Sequence, residues 1–201
     1  MLAAAILAAG ESRRMGFPKA LMQVRGATFV ENLLRATEHP RIGLRRVVLG
    51  AGAAEIQARL GLSAEQVIFN PDWEAGQLSS IQCAVRNFLP VDPEGIVICP
   101  VDHPLISPRL VVELIQAFDL RRSAVTLPTY LGRRGHPVIF RRDLFEELQQ
   151  ASAGVGAREV VWAHADDVAE VPVEEEGVVL NLNDPAALAR VNESDADELG
   201  S

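Results

Sequence analysis

Residues 2–9, Leu-Ala-Ala-Ala-Ile-Leu-Ala-Ala, form an uninterrupted apolar run closed by Gly10. No polar residue alternates with them, so as a strand the segment has no face to give to water and must be covered on both sides, as strands are in a parallel sheet. The rest of the chain follows that lead. Apolar runs at residues 46–50, 66–69, 96–101 and 124–127 alternate with amphipathic stretches at 28–38, 53–60, 78–88 and 108–118. This β/α alternation predicts an α/β fold with a doubly wound, mostly parallel sheet. After residue 128 the rhythm changes. Strands are expected at 138–141, 168–173 and 177–180, with helices at 142–150, 156–164 and 185–191, an extension that adds a small antiparallel element. One domain over residues 1–191 is expected, with the polar, acidic residues 192–201 as a frayed tail.

The turn that closes the first strand is cationic and punctuated by glycine. It reads Gly10-Glu11-Ser12-Arg13-Arg14-Met15-Gly16-Phe17-Pro18-Lys19, and Lys19 is the only lysine beside eighteen arginines. A lysine ammonium is a compact point charge and an arginine guanidinium a planar fork, so the two are not interchangeable in a tight loop that grips a phosphate. Glycines without a Cβ let the backbone approach such a ligand closely. The loop is not a standard P-loop, because no Gly directly precedes the Lys and no Ser or Thr follows it, and G-x-G-x-x-G is absent.

Two further strand ends carry polar groups. Asp102 follows residues 96–101 as Asp-His-Pro, at the edge of a parallel sheet where ligands bind, and its carboxylate suits Mg²⁺ as well as a turn. Asn181-Leu182-Asn183-Asp184-Pro185 follows residues 178–180, with Asp184 placed to cap the last helix. Two more turns are rich in small residues: Gly76-Gln77-Leu78-Ser79-Ser80, where a serine can cap a helix, and Gly132-Arg133-Arg134-Gly135-His136-Pro137, where two arginines and a histidine suit an anion.

Together these segments resemble the nucleotidyltransferases related to the molybdenum cofactor cytidylyltransferase and guanylyltransferase, over nearly the full chain. The resemblance implies a Rossmann-like nucleotidyltransferase fold and transfer of a nucleoside monophosphate from a triphosphate, with pyrophosphate released. It implies that Arg14 and Lys19 hold phosphates, that Leu7, Ala8, Ala9, Gly10, Ser12, Ser79 and Ser80 line the nucleotide pocket, and that Asp102 and Asn183 hold Mg²⁺. Lys19, Arg14 and Asp102 are then the catalytic set. Arg134, His136 and Arg158, the last in Gly154-Val155-Gly156-Ala157-Arg158, fall on the acceptor side, and Gly154 stands where the family has Asp. His103 reads as a loop histidine.

Ala9 matches the cytidylyl form of the first motif, so the expected donor is CTP and the expected acceptor a phosphorylated, molybdopterin-type cofactor. Asn181-Leu182-Asn183 matches the guanylyl form and keeps GTP open. A sugar- or alcohol-phosphate nucleotidyltransferase is the alternative enzyme. A nucleotide-binding maturation factor, in transient contact with a molybdoenzyme or its chaperone, is the alternative outside catalysis.

Nineteen basic against 27 acidic residues give a net charge of −8, which argues against nucleic acid and anionic membranes as partners. Two cysteines, Cys83 and Cys99, lie in apolar segments and read as buried thiols in a cytoplasmic protein. Trp73 and Trp162 read as packing.

Overall fold

A computed structural model of the chain describes residues 1–12 and 15–199. Its centre is β1 (Leu2–Leu7), every residue of which is buried. Alternate side chains leave the strand on opposite sides. Leu2, Ala4, Ile6 and Ala8 join one core, with Val30 and Leu33 of α1 (Phe29–Ala36) and Leu110, Val111, Leu114 and Phe118 of α4 (Pro108–Arg121). Ala3, Ala5, Leu7 and Ala9 join the other, with Ile81, Ala84, Val85 and Phe88 of α3 (Gln77–Phe88) and with Phe145 and Leu148 of α5 (Phe145–Gln150). The double burial read from residues 2–9 is thus met by a helix layer on each face of the sheet.

Two minor strands, β2 (Gln23–Val24) and β3 (Ala27–Thr28), form a separate hairpin. The main sheet holds β4 (Ile42–Leu49), β5 (Val67–Phe69), β6 (Gly95–Pro100), β7 (Val125–Tyr130), β8 (Arg133–Arg134), β9 (Val138–Arg141) and β10 (Val168–Pro172). Its order is β10-β7-β9-β6-β1-β4-β5, with β8 paired to β7. Pairing is parallel throughout except that β9 runs antiparallel to β6 and β7, and β8 antiparallel to β7. The chain leaves β1 toward β4 and β5 through α1 and α2 (Ala53–Leu60), then returns through α3 to β6 on the other side of β1. The carboxyl ends of β1 and β6 therefore flank a topological switch point, where open α/β sheets bind ligands.

Two expectations are corrected. Residues 177–180 are not a strand: Glu176–Val178 is a 3-10 turn. Val178 O accepts from His136 N at 2.8 Å, and Leu182 N donates to Asp102 O at 2.8 Å, so the segment bonds across the site as a strap and joins no ladder. The last helix, α7, runs Pro185–Leu199 and carries residues 192–199 on as helix. Polar composition does not exclude helix, and Glu193, Ala196, Glu198 and Leu199 are good helix formers. Asp184 caps it as expected, its Oδ1 accepting from Ala187 N at 2.8 Å.

Candidate active site

A cavity of about 220 Å³ opens at the switch point, between the carboxyl ends of β1 and β6 and the first turn of α3. Leu7, Ala8, Ala9, Gly10 and Ser12 form one wall, Lys19 another, and Asp102 and Ser80 face it from β6 and α3. The backbone there is tied down: Ala8 N donates to Val48 O at 2.9 Å, Ala51 N to Ala9 O at 3.0 Å and Val101 N to Leu7 O at 3.1 Å. Ser12 adopts φ +56°, in the left-handed region, and its Oγ accepts from Lys19 N at 3.0 Å. That bond staples the glycine-rich loop to the 3-10 turn Lys19–Leu21, whose Ala20 and Leu21 are buried as anchors. Arg13 and Arg14 lie outside the described residues.

Lys19 Nζ donates to Asn183 Oδ1. The strap explains the meeting of two residues 164 positions apart, because the Leu182–Asp102 bond sets Asn183 beside the end of β6. Among the described residues Asp102 is the one acidic side chain lining the cavity, and it keeps 23% side-chain exposure. Among the described residues no group of three His, Cys, Asp or Glu side chains could hold a metal. One hard carboxylate fits a Mg²⁺-like ion that takes most of its oxygens from a bound triphosphate and water, while the Asn183 oxygen expected to complete the site accepts from the Lys19 ammonium. It does not fit a closed, all-protein metal site.

Ser79 and Ser80 part company. Ser80 faces the cavity, whereas the Ser79 hydroxyl turns into α3 and donates to Gly76 O at 2.8 Å. Asn70, fully buried and overlooked by the sequence reading, orients both: its Nδ2 donates to Ser79 Oγ at 2.9 Å and to Ser80 Oγ at 3.1 Å. The signal was there, an Asn at the carboxyl end of a strand, the same placement that marked Asp102. Trp73 and Gln77 also line this cavity. Trp73 packs so closely on Gly50 that a Cβ there would lie 2.5 Å from Trp73 Cβ and 2.7 Å from Ala9 O.

A second cavity, of about 540 Å³, adjoins the first and shares Gly76 and Gln77 with it. Leu78, Ile81, Ile98, Leu127, Val138 and Phe140 make it apolar, while Arg134, His136 and Arg158 bring positive or polar groups to it. The three acceptor-side candidates are therefore brought together. Arg134 also pairs with Glu170 at 2.7 Å.

His103 and His136 stand between Asp102 and this second cavity, with ring centroids 4.8 Å apart and planes tilted by 50°. Burial pushes His136 down to about 4, and the neighbouring His103 adds to the shift. Burial also lowers His103 against the opposing pull of Asp102. His103 lies in the loop after β6, as expected, and its side chain is buried there, 6% exposed. Both imidazoles are neutral near pH 7, so the rings can border an anion without adding charge. Cys99 is buried and its thiol is pushed up to about 12, while Cys83 is only partly covered. Among the described residues no helix is long and apolar enough to cross a membrane.

Known proteins of similar sequence and fold identify the family. A probable molybdenum cofactor guanylyltransferase of Mycobacterium avium is 29% identical over 192 residues, covering 93% of each chain. The nicotine blue oxidoreductase of Paenarthrobacter nicotinovorans is 32% identical over 164 residues, 76% of this chain and 78% of its own. Among solved structures, Rv0371c of Mycobacterium tuberculosis superposes with a TM-score of 0.80 at 26% identity, covering 96% of this chain and 97% of its own. The same mycobacterial protein has been solved as a complex with manganese, with a TM-score of 0.75 to this chain at 24% identity and 96% and 98% coverage. Residues 4–168 match the model of the MobA-like NTP transferase domain, and the chain belongs to that family of nucleotidyltransferases.

Proposed function

We propose that this protein transfers a nucleoside monophosphate from a nucleoside triphosphate to a phosphorylated acceptor of the molybdopterin type, with pyrophosphate as the second product. The observation that carries the reading is the strap: the Leu182–Asp102 backbone bond puts the Lys19–Asn183 pair and the Asp102 carboxylate at the mouth of one cavity. An acceptor phosphate oxygen attacks the α-phosphorus, the bond from that phosphorus to the oxygen bridging to the β-phosphate breaks, and pyrophosphate leaves with the electron pair. Lys19 and the backbone of residues 8–10 position the triphosphate, and Ser80, fixed by Asn70, borders the nucleoside. Mg²⁺ held by Asp102, with Asn183 close by, would offset phosphate charge. No covalent enzyme intermediate is required.

For the donor, the guanylyltransferase names among relatives and the Asn181-Leu182-Asn183 sequence favour GTP over the CTP expected from Ala9. Pyrophosphate release measured with each of the four nucleoside triphosphates, Mg²⁺ and a molybdopterin acceptor tests the reading. Release with GTP alone supports it as stated, and release with CTP alone returns the choice to Ala9. Nucleotide binding without release in any mixture would leave a binding factor and defeat the transferase reading. The similar nicotine blue oxidoreductase is named for another reaction, so the assay is run on purified protein with product identification.

A further inference from the structure

Trp162 contradicts its expected role as packing. It lies on α6 (Arg158–Ala163), lines the larger cavity and leaves 58% of its surface exposed. Ligand pockets are lined mainly by apolar and aromatic side chains with a few placed polar groups, and an exposed indole on a cavity wall is open to such a ligand. Arg158, one helical turn earlier, holds its guanidinium 6.0 Å from the Trp162 ring centroid, and Val155, 43% exposed, lines the same cavity. Phe140 and Leu127 line the same cavity. An indole, further apolar side chains and two arginines thus meet around one cavity, with the Arg158 guanidinium beside the indole.

We propose that Trp162 is a stacking platform for the acceptor, which is a planar conjugated ring system carrying an anionic group. The ring lies on the indole, Arg158 and Arg134 attract the anionic group, and the reacting phosphate points along Gly76 and Gln77 toward the smaller cavity. This rests on the assignment of the larger cavity to the acceptor. On this proposal a polar, non-planar sugar phosphate is the poorer match, because hydroxyls set against Leu78, Ile81 and Phe140 lose water there without gaining a stacking contact.

The two tryptophans make the test direct, because Trp73 lines the smaller cavity and Trp162 the larger. The probes are 1-naphthyl phosphate, planar and anionic, and glucose 1-phosphate, which carries the same anion on a non-planar polar body. Binding is measured by calorimetry on the parent, Trp162→Phe and Trp162→Ala, and by quenching of Trp162 emission in Trp73→Phe. The parent should bind naphthyl phosphate at least tenfold more tightly than glucose 1-phosphate. Trp162→Ala should weaken naphthyl phosphate roughly tenfold, as loss of a base-stacking aromatic does. Trp162→Phe should keep most of the affinity, and saturable quenching should appear in Trp73→Phe. Equal affinity for the two probes, or an unchanged Trp162→Ala, would overturn the proposal. So would quenching that follows protein concentration and ignores the probe, which would place Trp162 between two copies of the chain. Failure of the transferase reading is separable: naphthyl phosphate would then still bind at Trp162 while no triphosphate releases pyrophosphate.

Discussion

Replacing Gly135 by Ala puts the strap under direct load. An ideal Cβ at Gly135 would lie 2.5 Å from Val178 O, 2.8 Å from Val178 C and 2.9 Å from Val178 Cβ. The first two atoms are backbone and cannot rotate away, so the strap must retreat by about 1 Å to reach ordinary contact. The bond from His136 N to Val178 O, 2.8 Å long, sits at the same place and lengthens with it. Overpacking costs about 1–3 kcal/mol and loosening the hydrogen bond about 0.5–1.5 kcal/mol, together roughly 2–4 kcal/mol. In a chain this long each kcal/mol moves the melting temperature by about 2–4 °C, so Gly135→Ala should melt roughly 5–15 °C below the parent. Gly154→Ala is the control, since a Cβ there meets nothing within 4 Å, and it should stay within about 0.5 kcal/mol or gain slightly through a less flexible unfolded chain. Urea and thermal unfolding followed by circular dichroism give both numbers. Turnover, read at a temperature where Gly135→Ala is folded, should fall below that of the parent, because the same strap carries Asn183 to Lys19. A Gly135→Ala protein within 0.5 kcal/mol of the parent and equally active would refute the argument that this contact holds the site together.

Lys19→Ala and Asp102→Ala should each lower turnover about 10²–10³-fold, the usual loss for a preorganised group facing developing charge, with melting temperatures close to the parent; near-normal rates in either would remove the transferase reading. Asn70→Ala strips the donor from the Ser79 and Ser80 hydroxyls, so urea unfolding should show a loss of about 1–3 kcal/mol and nucleotide KM should rise. As pH falls, the unfolded chain protonates His136 first, because burial holds the folded group near 4 against an ordinary 6.5. Its contribution to stability is present above about 6.5 and is lost between there and 4. Urea unfolding should therefore show about 1–2 kcal/mol less stability from this group at pH 5 than at pH 7.5, and His136→Gln should flatten that slope.

The parts of this molecule that were legible in sequence are those whose physics is local to a segment. An apolar run with no alternation has one solution, burial on both faces, and β1 takes it with its odd and even residues in different cores. Asp102 was legible because the end of such a strand is where a parallel sheet meets its ligand. What stayed hidden depends on where backbone bonds go. Val178, Val179 and Leu180 read as a strand because they are apolar and β-branched or bulky, yet hydrophobicity fixes burial and not pairing. Here Val178 O accepts from His136 N while the Val179 and Leu180 N–H groups turn back to Glu176 O, and no ladder forms. Trp162 misled for a related reason: composition says that tryptophan prefers cover, and only the structure shows it on a cavity wall and mostly exposed. The lone lysine sits between these cases. Its loop was readable from the glycines and charge, but its partner, 164 residues away, was not. That partner gives a physical reason for lysine in a chain that otherwise uses arginine. A single ammonium can donate to one amide oxygen from the short turn Lys19–Leu21 and keep its charge at the cavity mouth, where a planar guanidinium needs a wider, two-pronged acceptor. Lys19→Arg should therefore keep the charge and lose the site, with turnover down at least tenfold, and an active Lys19→Arg enzyme would show that charge alone was required.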